Sequence, residues 1–149
     1  MKTLFCSLIG LFFLSCNAQK EAVNKVEAQL FAGELVRVEN FPTQLITPRN
    51  VDIWLPENYN EKLKYQVLYM HDGQMLFDAS NTWNKQEWKV DEVVSQLIEN
   101  KSIDNIIVVA IWNISEIRHT DLYPLKPLSS LSKDEKELVL TELRNNNFP

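Results

Sequence analysis

At 149 residues and 45% hydrophobic content, the chain is long enough to bury the core of one domain. Its formal net charge of −5 is spread over interspersed residues with no basic patch, which argues against a nucleic-acid partner. Its only glycines, Gly10, Gly33 and Gly73, are few for a complete α/β enzyme, which spends glycine on phosphate loops or a nucleophile turn.

Residues 1–19 read as an export signal outside the fold. Lys2 supplies a short positive start, and residues 4–14 form an apolar core too short to span a bilayer comfortably. The following Leu14-Ser15-Cys16-Asn17 resembles a bacterial lipobox, with Phe13 where leucine is usual. Lipidation at Cys16 is therefore expected, giving a cell-envelope lipoprotein held to the membrane only by that anchor. The alternative is ordinary cleavage after Ala18 and a soluble periplasmic or secreted product. Both cysteines, Cys6 and Cys16, lie in this segment, so the rest of the chain has neither a disulfide nor a thiol nucleophile. Residues 20–28 are polar and read as a tether.

The ordered domain is expected from residue 29. Leu30, Leu35, Val36 and Val38 suggest a strand, with Gly33 at a bend or bulge and Asn40-Phe41-Pro42 ending the run. Residues 49–55 alternate, with Val51, Ile53 and Leu55 on one face and Asn50, Asp52 and Trp54 on the other. A turn-rich segment, residues 56–60, leads to the stretch around which the chain is organised, YQVLYMHDGQMLFD at residues 65–78. Residues 65–70 are almost continuously apolar, the pattern of a strand covered on both faces in the middle of a largely parallel sheet. The run breaks at His71-Asp72-Gly73-Gln74, where Gly73 allows a sharp turn or close approach to a ligand. Ligands of open α/β sheets bind just past the carboxyl ends of the strands, although many Asp-Gly turns only turn.

Residues 74–89 read as a long loop carrying Trp83 and Trp88. Val90, Val93, Val94, Leu97 and Ile98 then fall at the spacing of an amphipathic helix, with Asp91 and Glu92 in its first turn. Residues 106–112 (IIVVAIW) form a second buried strand, which makes a βαβ crossover with the first. Residues 113–131 are polar and irregular. Ser132 with Glu135 forms a capping box opening a last helix, with Leu138, Val139 and Leu143 apolar.

The words VDIWLPENY, YQVLYMHDGQMLFD, TWNKQEWKVDE and VVAIWN, followed by Arg118 and Tyr123-Pro124, resemble the esterase D and enterochelin-esterase-like branch of the α/β-hydrolases, which includes feruloyl and acetylxylan esterases. The resemblance covers roughly residues 49–127. It implies the N-terminal part of an α/β-hydrolase sheet, with antiparallel first strands followed by the βαβ crossover. It also implies that the turn after the 65–70 strand holds an oxyanion hole, with the Gln74 backbone N–H as one donor. His71, Asp72, Gly73, Trp83, Trp88, Asn113 and Arg118 are then expected to bind or wall in a small-molecule or glycan-linked ester.

Such a hydrolase needs a G-x-S-x-G elbow, then an acid, then a histidine, in that order. No glycine here opens such a motif, and His71 and His119 both precede the place where it would fall. Residues 29–149 are therefore expected to be the N-terminal portion of a serine esterase, incomplete and inactive by themselves. The alternative is a non-catalytic cell-surface module that holds glycan on Trp83 and Trp88. His71, Asp72 and Asp78 do not make a metal site, because no second histidine sits at ligand spacing. No metal or cofactor is expected.

Overall fold

The computed structural model describes residues 23–124 and 126–145. The export signal and Cys16 lie outside the described residues. Five strands, β1 (Val23–Lys25), β2 (Glu34–Phe41), β3 (Arg49–Leu55), β4 (Gln66–His71) and β5 (Ile106–Ile111), form one mixed sheet in the order β1-β2-β3-β5-β4. The helices are α1 (Val90–Glu99), the short α2 (Arg118–Asp121) and α3 (Lys133–Asn145). The architecture is α/β: β1, β2, β3 and β5 pair antiparallel, and β4 pairs parallel with β5 through the α1 crossover.

Part of the segment expected to be a tether belongs to the sheet. Val23, Asn24 and Lys25 pair with Val38, Arg37 and Val36, and the Val26 N–H donates to the Leu35 carbonyl at 2.9 Å. A polar strand suits a sheet edge, where one side meets water. Gly33 takes φ 84° at the bend before β2, a backbone region that residues with a Cβ rarely enter.

The alternation of β3 is real, yet its fully buried face is the one carrying Asp52 and Trp54. Trp54 donates from its indole N–H to the Ala32 carbonyl at 2.9 Å. It joins Leu35, Leu76, Phe77, Val90, Val94, Val108 and Ala110 in the core beneath α1. Asp52 is tolerated there because Arg37 reaches it at 2.6 and 2.9 Å and the Trp112 indole N–H at 2.9 Å. The guanidinium of Arg37 also lies 4.4 Å from the centre of the Trp112 ring.

The placement of β4 departs from expectation. Its apolar run predicts a strand covered on both sides, but β4 is an edge strand among the described residues, with Val67, Leu68 and Tyr69 exposed. Of the two parallel strands, β5 is the one flanked on both sides, and its Val108 and Ala110 are fully buried. On the face away from α1, Val38, Val51, Ile53, Tyr69, Val109 and Ile111 line an open, largely apolar hollow of about 400 Å³.

Helix α1 spans the predicted residues, with Val90 and Val94 buried, although Val93 from the same apolar spacing stays exposed. Burying a valine stabilises by roughly 1.5–3 kcal/mol, so these two residues hold the helix on the sheet. The helix also anchors the chain ahead of β2, since the Phe31 N–H donates to the Asp91 carboxylate at 2.6 Å. At the start of α3, Ser132 and Glu135 exchange the reciprocal bonds of the predicted capping box. No helix among the described residues is long and apolar enough to cross a membrane.

Burial pushes the Asp91 carboxyl up to about 6, with Glu92 adding to the rise and the Phe31 N–H opposing it. The folded value exceeds the unfolded value of about 3.9, so the fold gains stability by holding the proton. That contribution is fully present below about pH 4 and is lost as the pH rises through about 6. Asp91→Asn keeps an acceptor for Phe31 without the charge. Its urea midpoint should therefore exceed that of the unsubstituted protein at pH 7.5, and the gap, roughly 3 kcal/mol at most, should narrow towards pH 4.5. A gap independent of pH would show that Asp91 titrates normally.

Candidate functional site

Because β4 and β5 run parallel and in register, with His71 beside Ile111, their following loops leave from the same edge of the sheet. The start of β3 is there too, since Val51 lies beside Ile111 and the Trp112 N–H donates to the Asn50 carbonyl at 3.0 Å. Between these segments opens a cleft of about 540 Å³, whose walls include Gln74, Trp83, Trp112, Asn113 and Asn50.

Asp72, rather than the glycine after it, takes the left-handed conformation at the end of β4, with φ 56° and ψ 41°. Aspartate is among the few residues with a side chain that enter this region readily. Its carboxylate accepts from Asn113 Nδ2 at 2.7 Å and from Arg118 Nε and Nη2 at 2.8 and 2.6 Å. The Arg118 guanidinium holds the carboxyl below the usual range against the opposing effect of burial, and Asn113 assists. Asp72 is thus a buried clasp with both carboxylate oxygens engaged by Asn113 and Arg118.

Gly73 serves packing. A Cβ there would lie 2.6 Å from the Ala110 carbonyl oxygen and 2.8 Å from Trp112 Cδ1, so the backbone approaches the end of β5 closely. Gly73–Met75 then form one 3-10 turn, closed by the Met75 N–H donating to the Asp72 carbonyl at 2.8 Å. Gln74 lines the cleft and accepts from the Asn113 backbone N–H through its Oε1 at 3.1 Å. The backbone N–H of Gln74 itself has no hydrogen-bond acceptor among the described residues.

The other predicted residues divide. Trp83 is 87% exposed on the cleft wall, and Asn113 lines it. Trp88 is half exposed away from these walls, its N–H donating to the Met75 carbonyl at 2.9 Å. His71 ends β4 exposed and is not a wall residue, and Arg118 pairs with Asp72. Among the described residues no group of three or more His, Cys, Asp or Glu is placed to hold a metal ion.

Sequence reasoning missed Arg49 and Trp112. Arg49 pairs with Asp121 at 2.7 Å, so α2 is tied to β3 at one end and, through Arg118, to β4 at the other. Neither pairing has a sequence signal, because the partners lie more than forty positions apart. Asp78 was visible only as a failed metal ligand. It caps Ser80 at 2.8 Å and accepts from the Gln29 N–H at 3.1 Å. Burial works to raise its carboxyl, but bonds from Ser80, Gln29 and Asn81 bring it below the usual range.

A family model described as Putative esterase matches residues 43–137, which includes β3, β4, α1, β5 and every wall of the cleft except Asn40. The chain belongs to the Putative esterase family. A solved structure similar to it is the feruloyl esterase module from Clostridium thermocellum, an S-to-A mutant complexed with sinapinate. The two share 20% identity with a TM-score of 0.40, over 68% of this chain and 38% of that one. This chain thus spans well under half the length of that module. No curated protein matches.

Gly73→Ala tests the packing role. Its Cβ would meet the backbone of β5 under 3.0 Å, where nothing can rotate aside. The substitution should destabilise by about 2–3 kcal/mol, read as a lowered denaturant midpoint. An unchanged midpoint would show that the turn can lift from β5 freely.

Proposed function

We propose that this chain is the N-terminal part of an α/β-hydrolase domain of an exported ester hydrolase, contributing one oxyanion donor and one wall of the pocket. The observation that carries the reading is the Gln74 backbone N–H, which has no acceptor among the described residues and belongs to a turn fixed at the cleft. A rigid backbone donor at that place stabilises the negative charge that develops on an attacked carbonyl oxygen. The exposed edge of β4, which carries Val67, Leu68 and Tyr69, supports a sheet that continues beyond the strands described.

The chemistry of the whole enzyme would be acyl transfer through serine. The serine attacks the ester carbonyl as histidine takes its proton, the tetrahedral oxyanion is held by the Gln74 N–H and a second donor, and the alcohol leaves. Water then releases the acid from the acyl-serine. Serine, acid and histidine would come from sequence that follows this portion. The ester is a small-molecule or glycan-linked one, and no cofactor takes part. The exposed Trp83 beside Asn50, Asn81 and Asn113 favours a second reading, a glycan-binding module without catalysis.

The 149-residue chain should neither hydrolyse p-nitrophenyl acetate above a heat-treated blank nor react with a fluorophosphonate, whereas the whole gene product should do both. Stoichiometric labelling of a serine within these 149 residues would overturn the reading. A stop codon directly after Pro149 would favour the glycan module.

Anchoring at Cys16 is part of the same proposal. Cys16→Ala should move the protein from the membrane fraction to soluble or uncleaved forms, and unchanged fractionation would favour cleavage after Ala18.

A further inference from the structure

We propose that Asp72 is a positioning residue for ester hydrolysis: its carboxylate, gripped by Asn113 and Arg118, fixes the direction in which the Gln74 backbone N–H faces the cleft. The inference rests on the ester-hydrolase reading and assigns a role to a residue that touches no substrate.

The geometry is a closed ring. Asp72 and Gln74 flank Gly73, and both side chains are held by one residue, Asn113, through its Nδ2 on Asp72 at 2.7 Å and its backbone N–H on Gln74 Oε1 at 3.1 Å. Gly73 between them rests against the Ala110 carbonyl and Trp112. Arg118 adds a two-pronged grip on Asp72 from the start of α2. The peptide unit carrying the Gln74 N–H is therefore braced before, behind and beneath, with its own donor left free of protein acceptors.

Asp72 is unsuited to hold substrate. It is only 7% exposed, both oxygens are engaged, and it is not among the cleft walls. A bare carboxylate two residues from the oxyanion donor would also oppose the developing negative charge, and the paired Arg118 offsets it. The left-handed backbone at Asp72 is what turns the chain from β4 towards the cleft, and the ring keeps that turn in one setting.

Asp72→Asn in the whole gene product is the test, because asparagine also tolerates the left-handed region and preserves the turn while removing the charge-assisted grip. Active sites are counted by fluorophosphonate titration, so that kcat is expressed per competent site. The expected result is a fall in kcat of about 10- to 100-fold with KM within about twofold, since losing an oxyanion donor outright costs about 10²–10³. Affinity for a trifluoromethyl ketone, which presents a tetrahedral oxyanion, should fall in parallel. Should Asp72→Asn fail to fold, Arg118→Lys keeps the charge, loses the two-pronged geometry and should give a smaller fall in the same direction. An unchanged kcat per site, or a loss confined to KM or to the number of sites, would overturn the proposal. An unsubstituted whole protein with neither turnover nor labelling would overturn the ester-hydrolase reading itself, and this role with it.

Discussion

The parallel pairing of β4 with β5 is the constraint on which the rest depends. Two parallel strands joined by a helix must discharge their following loops at one edge. Here the register sets His71 beside Ile111, so Asp72 and Asn113 meet although they are 41 positions apart. The antiparallel approach of β3 then brings Arg49 and Asn50 to the same edge. A meeting of three segments distant in sequence at the cleft follows from strand direction, before any side chain is considered.

Charge does the local fastening. Three carboxylates, Asp52, Asp72 and Asp121, are met by Arg37, Arg118 and Arg49; the first pair joins β2 to β3, and the other two hold α2 to the turn after β4 and to β3. Such pairs add little net stability, because desolvation offsets their attraction, and Arg118 is half exposed, which screens its pair further. Their value is geometric, since guanidinium forks accept few orientations and losing one partner strands a buried charge. The stacking of Arg37 on Trp112 extends this control to a wall of the cleft.

The sheet is finished on one face only. Beneath α1 the buried core runs from Leu35 through Trp54 to Ala110. On the other face the valines and isoleucines of β2, β3 and β5 border an open hollow, and the outer edge of β4 is unpaired among the described residues. An apolar surface of this kind is an interaction or aggregation surface until something covers it.

By itself the sequence determined local structure and kinship. The 3.6-residue spacing from Val90 to Ile98 placed α1, the Ser132–Glu135 pair placed the start of α3, and the apolar run at 106–112 placed β5. The Asp-Gly turn and its neighbouring words marked both the family and the edge at which the cleft opens. Only the tertiary structure decided that β4 lies at an edge, that Asp52 and Trp54 face inward, that residues 23–25 pair as a strand, and that Asp72 and Arg118 grip each other. The reason is common to all four. Periodicity and turn chemistry act over a few residues and are written locally, whereas burial and pairing depend on which distant segment arrives opposite, and a single chain read in order carries no record of that arrival.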